Sequence, residues 1–190
     1  LREVARSSGS VWKVLFSLSL FGAVTGWLLV AVADAGGLEI APGIAFGTLL
    51  GLGTFTTYAW VTQFDDPAEF DRYPLSPRRL FRGKLFAFLA LAIPAGVVVL
   101  AAAAVWFPPG ELVIGVVILP AVATYVFGVS ATVAGLSPTE LLFDVARFTV
   151  FGVAIILVAV PLVVLSLVGS RYPLLAPVLA VAIAAVAGLA

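Results

Sequence analysis

Six apolar stretches, each of about twenty residues and without a charged side chain, constrain this 190-residue chain more than any other feature. They cover residues 14–33, 40–63, 85–107, 112–136, 148–168 and 172–190. A helix needs roughly 20 apolar residues to cross a hydrocarbon core of about 30 Å. The stretches are continuous rather than alternating, and an open sheet cannot satisfy its backbone in lipid. The sequence therefore predicts an all-α, polytopic integral membrane protein with six transmembrane helices in a single domain, residues 1–190.

The composition excludes several classes of protein. Only 11% of the residues are charged and 63% are hydrophobic, whereas soluble domains have about 25% charged residues. The formal net charge is zero, so no nucleic-acid partner is indicated, and the chain contains no Cys or His. Thiolate nucleophiles, imidazole bases and the usual zinc sites are thereby excluded. A phosphate-binding G-x-x-x-x-G-K-[ST] loop is also missing. We expect no catalytic residue, metal or cofactor, and hence no enzyme.

The basic residues predict the orientation in the membrane. Nine of the ten Arg and Lys residues lie before the first stretch or in the connections after the second and fourth: Arg2, Arg6, Lys13, Arg72, Arg78, Arg79, Arg82, Lys84 and Arg147. Only Arg171 lies on the opposite side. Because basic residues are enriched on the cytoplasmic side of membrane proteins, we expect a multi-pass protein of the cell membrane. Its N-terminus, and with six spans also its C-terminus, would be cytosolic.

The segments predicted to be cytosolic contain sequence patterns that are typical of helix N-termini. Residues 2–13 are predicted to form a short interfacial helix. Asp66-Pro67-Ala68-Glu69 has a capping residue, proline at the first helical position and a glutamate that can reach back to the cap. A short amphipathic helix should follow and end near Tyr73-Pro74. A second helix should begin at Ser76-Pro77 and continue into the third span, and Ser137-Pro138-Thr139-Glu140 repeats the pattern.

Small residues and prolines inside the spans have two interpretations each. Glycines recur every fourth residue on the first and second spans: Gly22, Gly26, Gly43, Gly47 and Gly51. Such stripes allow close approach of helices, either within the chain or between two copies. Three prolines lie within the third, fourth and fifth spans: Pro94, Pro120 and Pro161. They indicate either hinges around a pathway or ordinary kinks of membrane helices.

Polar residues at the cytosolic edge of the membrane form two further groups. Glu140, Asp144 and Arg147 have helical spacing, and an Asp144–Arg147 pair between helices would be a structural clasp or, alternatively, part of a proton relay. The second group ends the second span: Thr54, Thr56, Thr57, Tyr58, Thr62 and Gln63. It either lines a substrate path or consists of hydroxyls that bond back to the helix, with Tyr58 and Trp60 as interfacial anchors.

The long connection 64–84 holds nine of the twenty charged residues. Its segment from Tyr73 to Leu85, YPLSPRRLFRGKL, resembles the stretch after the second span in permease subunits of type-2 ATP-binding-cassette exporters. There, a proline, a small apolar residue, a serine, a basic run and Gly-Lys-Leu link a short coupling helix to the third span. Six spans, an interfacial N-terminal helix and cytosolic termini also match that family. The sequence-specific part covers about a dozen residues.

The resemblance implies a membrane half-transporter that forms a homodimer, or a heterodimer with a similar permease, in the lipid bilayer. A separate cytosolic ATP-binding subunit would lie beneath it. The coupling helix would dock there through Glu69, Phe70, Asp71, Arg72, Tyr73 and Leu75. Aromatic groups within a polar rim are typical of binding hot spots. The family often has a larger outer segment between its last two spans, whereas here that connection, 169–171, is minimal. The chain could also be one half of a longer, fused permease.

The sequence thus predicts the permease subunit of an ATP-driven exporter. Two other functions remain open. The same loop could anchor a cytosolic partner to a membrane scaffold that transports nothing. A secondary carrier is disfavoured, because no ionisable residue lies near the middle of a span to couple an ion.

Overall fold

The computed structural model describes residues 8–37, 39–62, 77–135, 143–168 and 174–189. The described residues form helices joined by turns, with no strand among them. The helices are α1 (Ser8–Gly36), α2 (Pro42–Gly53), α3 (Phe55–Thr62), α4 (Pro77–Ala103), α5 (Pro109–Val133), α6 (Val145–Val168) and α7 (Leu175–Leu189). The expected helical membrane architecture is therefore confirmed for the part of the chain that the structure describes.

Five segments are long and apolar enough to cross a membrane: Phe16–Ala33, Pro42–Thr62, Arg79–Ala103, Pro109–Val133 and Val145–Leu167. They correspond to the first five predicted spans. The sixth, predicted over 172–190, contains α7, which has 15 residues and rises only about 22 Å. This is shorter than a hydrocarbon core of about 30 Å, so the crossing of a sixth span stays a prediction.

Consecutive spans run in opposite directions, which gives the bundle two ends. We call the end where α1 begins and α3 ends proximal, and the opposite end distal. At the distal end the backbone amide of Ala41 donates to the carbonyl of Ser166, 2.7 Å away. At the proximal end the hydroxyl of Tyr58 donates to the carbonyl of Gly135. Each bond joins spans that are distant in sequence.

The glycines of α2 create the tightest contact in the bundle. Ten of the twelve residues of α2 are buried, and this helix packs most extensively against α5. A Cβ atom built on Gly43 would collide with the carbonyl of Glu111, and one on Gly47 would lie 2.8 Å from the Cα of Gly115. Because these neighbours are backbone atoms, only glycine permits the approach. The interpretation of this stripe as packing within the chain is confirmed.

The stripe on α1 also packs within the chain. A Cβ on Gly22 would lie 2.5 Å from a methyl group of Val99 on α4, and one on Gly26 would lie 2.9 Å from the ring of Phe46 on α2. Lipid is as apolar as the helix surfaces, so van der Waals contact rather than the hydrophobic effect stabilises such crossings. The two stripes together place α2 at the centre of the bundle, between α1 and α5.

The second predicted span is not one continuous helix. It divides at Thr54, whose amide bonds to the carbonyl of Gly51 at 3.2 Å and whose hydroxyl donates to the same carbonyl at 2.5 Å. The side chain thus replaces part of the regular backbone bonding, as threonine hydroxyls do within helices. Glycines at positions 51 and 53 weaken the helix further. The span therefore consists of two segments, α2 and α3.

Two other helix boundaries differ from expectation. The described part of the predicted interfacial segment 2–13, from Ser8 onward, is continuous with the first span in α1. Its apolar residues continue into the span without a helix-breaking residue, so no separate helix forms there. By contrast, the helix predicted to begin at Ser76-Pro77 does begin at Pro77, as α4. The three prolines predicted inside spans lie within α4, α5 and α6.

Many large apolar side chains of α1, α4 and α6 face outward. Phe16 is 70% exposed, Phe86 67% and Leu157 67%. So many exposed large apolar side chains are not typical of a protein surface in water. They form the surface that a membrane-embedded helix presents to lipid or to another membrane helix.

Candidate functional site

The predicted docking residues Glu69, Phe70, Asp71, Arg72, Tyr73 and Leu75 lie outside the residues that the structure describes. Their docking role stays a prediction. The structure does describe the two helices that flank this segment, because α3 ends at Thr62 and α4 begins at Pro77. The candidate site is therefore built from the proximal ends of these helices and the side chains that hold them.

An aromatic cluster joins the helices on both sides of the loop to α5. It consists of Tyr58 from α3, Phe88 from α4 and Phe127 from α5, and we call it the proximal cluster. The ring of Phe127 lies 5.4 Å from that of Tyr58 and 5.3 Å from that of Phe88, centroid to centroid. These distances are in the range of favourable aromatic pairs. Tyr58 and Phe88 are completely buried, so the three helices pack here without a gap for lipid.

Tyr58 also connects the cluster to the connection that follows α5. Its hydroxyl donates to the carbonyl of Gly135. Gly135 follows the end of α5 with φ of 59°, a left-handed conformation that glycine adopts freely at helix C-termini. The bond satisfies both a buried phenol and a carbonyl beyond the last turn of α5. It therefore fixes the start of the connection that contains Glu140 and Asp144.

The burial of Tyr58 corrects its interpretation as an interfacial anchor. An anchor would expose its ring at the membrane surface, whereas this ring is enclosed by α4 and α5. The glycine after the fourth span indicates a helix end, but no local sequence signal connects it with a tyrosine 77 residues away. Sequence reasoning missed this pair for that reason.

The threonines of the second span mostly bond back to their own helix. The hydroxyls of Thr54, Thr56 and Thr62 donate to the carbonyls of Gly51, Gly53 and Tyr58. This confirms the interpretation of these three residues as back-bonding hydroxyls. Gln63 lies outside the described residues. Thr57 is buried and its hydroxyl has no hydrogen-bond partner, so the substrate-path interpretation keeps one candidate residue.

Asp144 and Arg147 lie close together at the start of α6. One carboxylate oxygen of Asp144 accepts from the amides of Ala146 (3.0 Å) and Arg147 (3.1 Å), as a helix N-cap does. Its other oxygen lies 3.2 Å from Nε of Arg147. The side chains are 43% and 51% exposed. The pair thus stabilises the start of α6. The third residue of the predicted clasp, Glu140, lies outside the described residues. Clasping between helices stays a prediction.

The charged side chains whose burial is defined in the described part are exposed or half-buried. Arg79 and Arg82, in the first two turns of α4, are exposed, and Lys84 is half-buried. No described charged side chain with defined burial is fully buried. The interior of this part is apolar apart from hydroxyls, such as the unpartnered ones of Thr48, Thr57 and Ser130.

No protein-family model, curated protein or solved structure matches this chain. The resemblance to type-2 permeases thus rests on the residues of the loop and on the pattern of spans.

Proposed function

We propose that this protein is the membrane-spanning permease subunit of an ATP-driven exporter, coupled to a separate cytosolic ATPase through the loop 64–84. The membrane-embedded helical bundle, the charge concentrated in that loop and the sequence of its second half support the proposal. Closure of an ATPase dimer would push the segment 67–73, and the spans would rearrange to expel a substrate from the cytosol or the inner leaflet.

The proximal cluster is the observation on which this proposal most depends. The loop leaves the membrane from α3 and re-enters through α4, and Tyr58 and Phe88 join these two helices to Phe127 of α5. A displacement of the loop would therefore act on three packed helices together. Packed cores respond to such displacements by moving between discrete arrangements rather than by deforming continuously. Loosely packed helices would not transmit a displacement of the loop to the spans.

The division at Thr54 supplies a position where motion can be absorbed. On its distal side α2 is held against α5 by glycine contacts, as at Gly47. On its proximal side α3 has eight residues and leads directly into the loop. Hinges are commonly a few residues at the ends of such elements. In this proposal α3 pivots at Thr54 relative to α2, together with the proximal parts of α4 and α5 that Tyr58 contacts.

The experiment that tests the proposal is reconstitution with an ATP-binding-cassette ATPase. The chain is co-expressed with candidate ATPases, and the complex is purified from membranes and assayed for association, ATP hydrolysis and transport in vesicles. Replacing Phe70 and Tyr73 by Ala should weaken association by about tenfold or more, because aromatic anchors dominate such interfaces. The matched control replaces Phe86 and Phe148, exposed aromatic residues of α4 and α6, by Ala, and association should be unchanged.

Three outcomes separate the candidate functions. Association that survives the loss of both Phe70 and Tyr73 contradicts the docking role. If the ATPase associates through these residues but hydrolyses ATP at the same rate with and without the chain, the chain is a scaffold. Transport that continues without any ATPase identifies a secondary carrier.

A further inference from the structure

A groove opens laterally in the distal half of the bundle, away from the loop. Its walls are α1 and α4, and Phe46 of α2 together with Phe107 after α4 closes it from behind. These two rings form an edge-to-face pair at 5.6 Å. The volume is about 540 Å³, within the range of roughly 300–1,000 Å³ that is usual for ligand sites.

The length of the groove corresponds to one leaflet of a bilayer. Along α1 the lining extends from Ser19 to Trp27, eight residue steps or about 12 Å of helix rise. Half of a 30 Å hydrocarbon core is roughly 15 Å. The deep end lies beside the crossing of Gly22 with Val99, and the shallow end lies at the distal mouth.

The lining suits an apolar chain whose polar end remains at the membrane surface. None of the lining residues is charged, and Ser19 is the only hydroxyl among them. Trp106, 75% exposed, lies just beyond α4 at the distal mouth, and Trp27, 70% exposed, lies deeper, because α1 continues beyond it to Gly36. Tryptophan favours the level of the lipid headgroups because its ring is apolar and its N–H is polar.

The charges at the distal end indicate the kind of headgroup. The sequence places Asp34, Glu39 and Glu111 at this end against the single Arg171. Among the described residues, the side chains of Glu39 and Glu111 are exposed. A surplus of carboxylates repels an anionic headgroup and attracts an ammonium group.

We propose that the groove binds one acyl chain of an ammonium-bearing, zwitterionic phospholipid from the distal leaflet. The headgroup lies at the mouth, near Trp106, and the chain extends past Trp27 toward Ser19. The inference does not depend on coupling to an ATPase, so its test uses the chain alone and can fail or succeed independently of the transport function.

The test titrates phosphatidylethanolamine with a dibrominated acyl chain into delipidated protein in detergent micelles. Bromine quenches nearby tryptophan, and the chain has four tryptophans. Replacing Trp12 and Trp60 by Phe leaves only Trp27 and Trp106, which line the groove. Quenching should saturate at about one lipid per chain, because a single groove of this volume lies at these tryptophans. Dibrominated phosphatidylglycerol should bind more weakly.

Matched variants separate binding in the groove from contact elsewhere. Replacing Ala23 and Ala102, exposed residues of the lining, by Leu fills the groove. Affinity should fall about tenfold or more, because the two larger side chains occupy volume that the acyl chain would otherwise fill. Replacing Ala101, the exposed neighbour outside the lining, by Leu should change nothing. Native mass spectrometry of the unmodified protein provides a readout that needs no variant, and one retained zwitterionic lipid is expected.

Several results would overturn the proposal. Quenching that rises linearly without saturation indicates mixing in the micelle rather than a site. Equal affinity in the filled and control variants places the lipid elsewhere. A chain that dimerises, loses the dimer on replacement of Ala102 by Leu and binds no lipid shows that a second copy occupies the groove.

Discussion

The hydroxyl of Tyr58, near the end of the second span, donates to the backbone carbonyl of Gly135, just beyond the end of the fourth. The donor belongs to the helix that leads into the charged loop, and the acceptor begins the next connection on the same side. This hydrogen bond therefore joins the helix that precedes one proximal connection to the start of the next.

Replacing Tyr58 by Phe removes the donor but keeps the ring against Phe127. We expect a loss of about 1 kcal/mol in the free energy of unfolding, the usual contribution of one hydrogen bond. Amide exchange around Ala134 and Gly135 should accelerate. Tyr125→Phe is the matched control, because its hydroxyl bonds to the carbonyl of Ala154 on α6 at 2.8 Å. It should cost a similar amount without affecting exchange near Gly135; unaltered exchange in both variants would contradict the role of Tyr58.

Replacing Gly47 by Ala should destabilise the bundle, because the new methyl group would lie 2.8 Å from the Cα of Gly115. Overpacking of this kind costs about 1–3 kcal/mol. Gly152→Ala in α6 is the matched control, since nothing lies within 4 Å of its Cβ position. That change should be neutral or stabilising by up to about 1 kcal/mol. Unfolding in mixed micelles measures both, and equal stabilities would refute the close approach of α2 and α5.

Asp144 should contribute to stability mainly as a helix cap. Asp144→Ala removes both amide contacts and should cost about 1 kcal/mol. Asp144→Asn retains an acceptor and should cost less. Arg147→Gln breaks an exposed ion pair and should cost at most about 0.5 kcal/mol. Thermal unfolding of the three variants measures these losses of stability. If Arg147→Gln destabilises the protein as much as Asp144→Ala does, the pair acts as a clasp between helices.

The absence of cysteine from the sequence makes the orientation directly measurable by single-cysteine labelling. A membrane-impermeant maleimide should label Glu39→Cys and Glu111→Cys in intact cells, because both exposed residues lie at the distal end. Arg79→Cys, exposed near the start of α4, should react with the maleimide only after the membrane is permeabilised. The reverse pattern would invert the orientation predicted from the basic residues.

A reporter fused after Ala190 tests the sixth span. If α7 crosses the membrane, the reporter will lie on the side of Arg79. If α7, with 15 residues, stays within one leaflet, the reporter will lie on the side of Glu39. A fluorescent protein that folds only in the cytosol gives the readout.

The sequence alone determined the helical membrane architecture and the approximate limits of five spans, because apolar length is a local property that the bilayer selects directly. The start of α4 at Pro77 was equally readable, since proline at a first helical position acts locally. The glycine stripes were visible as surfaces of close approach. The helices against which these stripes pack could not be identified from the sequence, since Gly47 could have faced α5 or another copy of the chain.

Tertiary structure decided which residues meet. Tyr58 lies beside Trp60 in a threonine-rich segment at the membrane edge, and both aromatic residues look alike in sequence. The rotation of α3 buries Tyr58 completely and leaves Trp60 only partly buried. Likewise the division of the second span at Thr54 depends on a side-chain bond and on packing around Gly51 and Gly53. Burial and pairing depend on how neighbouring helices rotate and cross, and hydropathy, summed along one helix, contains no information on either.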